Sequence, residues 1–93
     1  MTGKMPIVHH TYVGVNQTVR VFESEYRAFA KENGLILLFS QEIKVGDLYL
    51  AKRNTGFHLL TAKKVDTQNH FILPVEEGAY PYDTIECVKV LAN

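Results

Sequence analysis

The chain predicts an α+β domain in which one amphipathic helix packs across a bent antiparallel sheet of five or six strands, with partial closure into a barrel allowed. Three observations carry that expectation. Residues 45–75, VGDLYLAKRNTGFHLLTAKKVDTQNHFILPV, read as three consecutive strands separated by two polar turns. One stretch, SEYRAFAKENG, has helical spacing of its apolar residues. The whole sequence is 93 residues, which makes a single domain, 1–93, with no room for a second.

The ribbon at 45–75 is the centre of the reading. Leu48 to Arg53 and Phe57 to Val65 alternate with period two around Asn54-Thr55-Gly56. A three-residue connection ending in Gly fits a type I turn followed by a left-handed residue, and Gly takes that conformation without a Cβ clash. This alignment sets Leu50 opposite Leu60 and Leu48 opposite Ala62 on an apolar face. The other face then carries Tyr49, Arg53, Phe57 and Thr61, with Lys63 opposite Asp47. Asp66-Thr67-Gln68-Asn69 is the next turn, because Asp and Asn side chains bond the nearby backbone. Phe71-Ile72-Leu73 follows as a short buried strand, and Pro74 places it near an edge or ends it.

The remaining elements flank this ribbon. Ile7 to Val15 is β-branched and aromatic enough for a strand, weakened at Gly14. His9 and His10 sit side by side in it, so they point to opposite faces and do not share a metal. Thr18 to Phe22 fits either a strand or the opening of a helix. The helix is expected from Ser24 to Asn33: Ser24 as N-cap, Glu25 in the first turn, Lys31 in the last, Gly34 as a left-handed C-cap. Phe22, Tyr26, Phe29 and Ala30 share its apolar face. Leu35 to Phe39 has no alternation, which fits a strand buried on both faces or one contributing to a subunit interface. Thr84 to Leu91 reads as the closing strand, with Ile85, Cys87 and Lys89 facing one way and Glu86, Val88 and Val90 the other. Cys87 is expected to pack as a small hydrophobe.

Composition narrows the function classes. Hydrophobic content of 46% and charged content of 22% fit a folded chain rather than a disordered one. At this size the core is limited, so a homodimer is an expected source of extra stability. Ten basic and ten acidic residues cancel, which argues against a general attraction to phosphate and makes nucleic acid the weaker partner class. One cysteine leaves no internal disulfide and fits a reducing compartment. The longest apolar run, Leu35 to Phe39, is strand-sized, and the opening MTGKMPIVHHTYVGV lacks the apolar centre of a secretory signal. A cytoplasmic location without membrane association is expected.

Several chemistries find no support in the spacing. Gly46, Gly56 and Gly78 are isolated and suit turns rather than a phosphate loop. Four His and one Cys are scattered without ligand spacing, so neither metal nor cofactor is expected. Glu76, Glu77 and Asp83 could be set out as an acid/base pair, but no apolar pocket is implied around them. The stretch from Glu76 to Asp83, EEGAYPYD, is instead the conspicuous recognition loop. Exposed Tyr offers a large contact area at small entropic cost. The expected binding surface combines this loop (Glu76, Glu77, Tyr80, Tyr82, Asp83) with the ribbon face (Tyr49, Arg53, Phe57). An alternative uses the basic pairs Lys52-Arg53 and Lys63-Lys64 with Tyr49 and Phe57 to hold a single-stranded nucleic acid.

Residues 40 to 82 resemble the β-fold of signal peptidases and self-cleaving phage repressors, the serine-lysine peptidases. Ser40 precedes Gly46-Asp47, Leu48-Tyr49-Leu50 stands where that family has an apolar strand, and Ala62-Lys63-Lys64-Val65 looks like its lysine strand. Ile72-Leu73-Pro74 and Ala79-Tyr80-Pro81 are similar in kind. The resemblance implies a dyad of Ser40 and Lys63. Gln41 stands in place of the family's Met, and no Pro follows Ser40. The favoured expectation is therefore a non-catalytic binding module, a small accessory protein of bacterial or phage type, with a degenerate or active serine-lysine hydrolase as the alternative.

Overall fold

The computed structural model describes residues 8–14, 17–76 and 80–91. Strands β1 (Val8–Gly14) and β2 (Gln17–Phe22) form an antiparallel hairpin of their own, and β2 runs directly into α1 (Glu23–Asn33). Then come β3 (Leu37–Leu38), β4 (Leu48–Arg53), β5 (Gly56–Asp66), β6 (Phe71–Pro74) and β7 (Tyr82–Asp83). A 3-10 turn, Thr84–Glu86, leads into β8 (Cys87–Val90). These last six strands make one antiparallel sheet in the order β3-β8-β4-β5-β6-β7, open at β3 and β7 and so not closed into a barrel. Among the described residues no helix is long and apolar enough to cross a membrane.

The closing strand is central in space. β8 inserts between β3 and β4, and Cys87, Val88 and Val90 are buried there with Tyr49, Leu50 and Ala51 of β4 and Ile72 of β6. Burying a side chain of the size of Leu50 or Ile72 contributes about 1.5–3 kcal/mol, so the middle of the sheet, not its two-residue edge strands, holds the domain together. On the helix side, Tyr26 and Ala30 are buried, and Tyr26 and Phe29 bracket Phe57 of β5. The Tyr26 ring meets it edge-on at 5.0 Å and the Phe29 ring stacks at 4.6 Å.

The helix begins two residues earlier than the capping pattern suggests. Its N-cap is Phe22, whose side chain makes no capping bond, and Ser24 sits inside the first turn. Because β2 enters the helix without a link, there is no loop position for Ser24 to cap. Glu23 and Glu25 in the first turn offset the N-terminal dipole instead. Gly34 closes the other end in the left-handed conformation (φ 66°), its N–H donating to the Ala30 carbonyl. Phe22 belongs to β2, so the stretch Thr18 to Phe22 is strand, and its ring is 43% exposed rather than part of the helical stripe.

The ribbon has the expected strands and a different register. Arg53 pairs with Gly56, Leu50 with Leu59 and Leu48 with Thr61. Gly56 does take positive φ (115°), but as the first residue of β5, which shortens the connection to Asn54-Thr55. The one-residue slip sets Tyr49 opposite Leu60 and Phe57 opposite Lys52, so Tyr49 and Phe57 lie on opposite faces of the sheet. The next turn runs from Thr67 to His70, with His70 in the left-handed region (φ 60°). Asp66 ends β5 and receives two bonds from Asn69, at 3.0 Å from its backbone N–H and at 2.9 Å from its side-chain amide.

Leu35 to Phe39 is not a strand buried on both faces. Only Leu37 and Leu38 pair, at the sheet edge, and Ile36 is 57% exposed. The run is uniformly apolar because Leu35 and Leu37 lean on the core while Phe39 is buried with the Arg27 guanidinium 4.6 Å from its ring centre. Residues 84–86 depart from the expected strand as well. The Asp83 carboxylate accepts the Ile85 N–H at 3.1 Å and turns the chain through a single 3-10 turn before β8 starts.

Candidate functional site

At the end of β4 the strand leaves the core. Ala51 is fully buried, Lys52 is exposed and Arg53 is half-buried. The Arg53 side chain reaches across to the segment entering β7. Its Nη2 donates to the carbonyls of Tyr80 (3.1 Å) and Pro81 (2.5 Å), and its guanidinium carbon lies 3.8 Å from the centre of the Tyr82 ring. The carbonyls of Tyr80 and Pro81 are thereby engaged, Pro81 has no N–H, and the Cys87 thiol donates to the Asp83 carbonyl at 3.3 Å.

Two more contacts set the opposite wall. The Lys52 ammonium pairs with Glu25 of α1 at 2.6 Å, and the Tyr26 hydroxyl donates to the Glu86 carbonyl at 2.8 Å. Between these walls lies an open cleft of about 600 Å³, lined chiefly by Phe22, Tyr26, Arg53, Tyr82, Asp83 and Glu86. Asp83 caps the 3-10 turn and Glu86 ends it, and both residues line the cleft. Burial pushes the Tyr26 hydroxyl well above its usual range. It does the same to the Cys87 thiol, with the charges of Glu86 and Asp83 adding to the effect. Both groups stay protonated near neutral pH.

Arg53, Tyr82 and Asp83, expected at the binding surface, line this cleft; Tyr80 is not among its lining residues, is 72% exposed, and is tied to Arg53 through its carbonyl. Tyr82 is only 7% exposed, so it forms floor under Arg53 rather than a free contact residue. Tyr49 and Phe57 do not take part as an exposed face. Tyr49 is fully buried, edge-on to Tyr82 at 5.9 Å, its hydroxyl without a hydrogen-bond partner among the described residues, and Phe57 is half-buried beneath the helix. Glu76 is exposed and accepts the Thr61 N–H at 3.2 Å, while the Asp83 carboxylate accepts the Ile85 N–H, and of the two only Asp83 lines the cleft. Glu77 lies outside the described residues.

Ser40 is exposed in the turn after β3 and Lys63 is exposed on β5; no hydrogen bond joins them, and neither lines the cleft. Of the basic pairs, Lys52 is held by Glu25, Arg53 by the two carbonyls, and Lys64 lies 5.8 Å from the Phe71 ring centre. Among the described residues no three His, Cys, Asp or Glu side chains converge as a metal site would require. Phe22 and Glu86 were not legible as site residues. Reading Thr84 to Leu91 as strand puts Glu86 on the face away from Cys87 and hides its three-residue spacing from Asp83.

Neither a family model, nor a curated protein, nor a solved structure matches this chain.

Proposed function

We propose that the protein is a small non-catalytic binding module that receives a partner protein at the cleft beside Arg53, with the Tyr80 loop as the outer part of the contact. One observation carries the reading: Arg53 ties the ribbon to the loop, so two stretches distant in sequence form the walls of one cleft. Walls already fixed by the Arg53, Lys52–Glu25 and Tyr26–Glu86 contacts lower the ordering cost of binding. The protonated Tyr26 and Cys87 supply no nucleophile there. The experiment compares immobilised wild type with Tyr80→Ala. The expected result is loss of a specifically retained protein with a melting temperature close to wild type. Equal retention by both, or a collapse of stability in the variant, overturns the assignment.

In the same reading the module is cytoplasmic and works as a homodimer. Ile36 (57% exposed) and Leu91 (45% exposed) are neighbours where the β3–β8 pair ends, joined by a 2.9 Å bond from Leu91 N–H to the Ile36 carbonyl. This is an apolar edge that a second copy could cover. Sedimentation of wild type and Ile36→Glu tests it: a dimer that the substitution converts to monomer supports the assembly, and a monomeric wild type removes it.

A further inference from the structure

We propose that the cleft selects its partner by a positive charge, taking an extended protein segment that places an Arg or Lys side chain against Asp83 and Glu86 and an apolar neighbour against Phe22. This rests on the reading of the cleft as a binding surface. The electrostatics of the lining point one way. Of its charged groups, Lys52 and Arg53 are cationic and Asp83 and Glu86 anionic. The cations are already engaged: Lys52 is neutralised by Glu25 at 2.6 Å, and Arg53 donates to two carbonyls above the Tyr82 ring. The anions are not. Asp83 uses one carboxylate oxygen on the Ile85 N–H, and the Glu86 carboxylate bonds to none of the described residues.

Asp83, the cap of the 3-10 turn, and Glu86, its last residue, both line the cleft, and a planar guanidinium brings five donors to such a pair. Both side chains are exposed, so an incoming cation reaches them without entering a dry interior, where the desolvation cost would offset the attraction. A cleft of about 600 Å³ is far larger than a lone ammonium needs, and Phe22, 43% exposed at its wall, offers apolar surface beside the charges. Recognition here works through side chains. The Tyr80, Pro81 and Asp83 carbonyls are already engaged by Arg53 and the Cys87 thiol, and Pro81 has no N–H to offer a strand.

The test is an amide-resolved NMR titration of the full chain with three ligands: Ac-Gly-Leu-Arg-Gly-NH2, its Glu counterpart Ac-Gly-Leu-Glu-Gly-NH2, and spermidine. The expected result is that only the Arg peptide shifts the amides of Phe22, Asp83, Ile85 and Glu86. Its affinity should fall about tenfold or more in the Asp83→Asn/Glu86→Gln variant, in which Asn keeps an oxygen for the Ile85 cap. Glu86→Gln alone, at an exposed position, should weaken binding in the same direction if the double variant loses its fold. Equal shifts from the Glu peptide overturn the charge rule while leaving the cleft as a binding surface. Spermidine matching the Arg peptide overturns the choice of a protein segment. No shift from any ligand overturns both this inference and the assignment of the cleft.

Discussion

The guanidinium of Arg53 lies 3.8 Å from the centre of the Tyr82 ring while donating to the carbonyls of the two residues before it. A single side chain therefore holds the entry to β7 against the tip of β4. Tyr82 in turn packs edge-on against Tyr49, so the clamp is anchored in the core rather than at the surface.

Arg53→Ala should lower stability by about 1.5–3 kcal/mol, the range for hydrogen bonds made by a charged group. Arg53→Lys should recover little, because an ammonium cannot reproduce a planar fork that both stacks on Tyr82 and donates sideways. Urea denaturation measures the loss, and hydrogen exchange should show protection falling first at Tyr82 and Asp83. A lysine variant with wild-type stability and exchange would show that charge alone suffices.

Tyr49 presents the opposite case. Its hydroxyl is fully buried with no hydrogen-bond partner among the described residues, next to Tyr82. An unmet buried hydroxyl costs about 1–3 kcal/mol, so Tyr49→Phe, which keeps the ring packing, should be neutral or stabilising by roughly 1 kcal/mol. Thermal melts decide it. A clear drop in melting temperature would mean the hydroxyl has a partner in solution.

The sequence made the helix and the ribbon legible because each follows from local rules, whereas it left open whether Tyr80 and Tyr82 face out or cap the core. Tyr26 and Ala30 share a helical face, Gly34 supplies the left-handed stop, and alternation marks β4 and β5. What it obscured depends on contacts between distant segments. Gly56 signals a turn in either register, and in the observed one Tyr49 pairs with Leu60 and packs edge-on against Tyr82, a contact between distant segments. Ser24 looks like a cap until β2 runs straight into α1. Leu35 to Phe39 shows no alternation, yet Ile36 faces out, because hydrophobicity does not report which side of an edge strand is covered. Glu86 joins the cleft through a 3-10 turn that the Asp83 cap creates.

The Asp66 carboxyl is held below its ordinary value of 3.8, first by the side-chain bond from Asn69 and then by the Asn69 backbone N–H. A depressed folded-state value means the contribution to stability is present above about pH 4 and is lost as pH falls through the folded-state value. Asp66→Asn should therefore be less stable than wild type at pH 7, with the gap narrowing toward pH ~3. Urea midpoints at the two pH values measure it. A gap that stays constant would place the effect in turn geometry rather than in the charge.

Cys87 governs the alkaline side. Its thiol is buried, donates to the Asp83 carbonyl, and is pushed up by burial and by the Glu86 and Asp83 charges. For an acid whose folded-state value is raised, the stabilisation is complete below the unfolded value, near 9 for this thiol, and falls as pH rises beyond it. Buried Tyr26 and Tyr49 act with the same sign starting about one unit higher. Wild type should accordingly lose stability between pH ~9 and ~10 more steeply than Cys87→Ala, which lacks the thiol. At pH ~8 a thiol reagent should label native Cys87 far more slowly than the urea-unfolded chain, because labelling must wait for opening of the β8 region. Labelling at the unfolded rate under native conditions would mean that the end of β8 opens freely, and with it the wall of the cleft that Asp83 and Glu86 form.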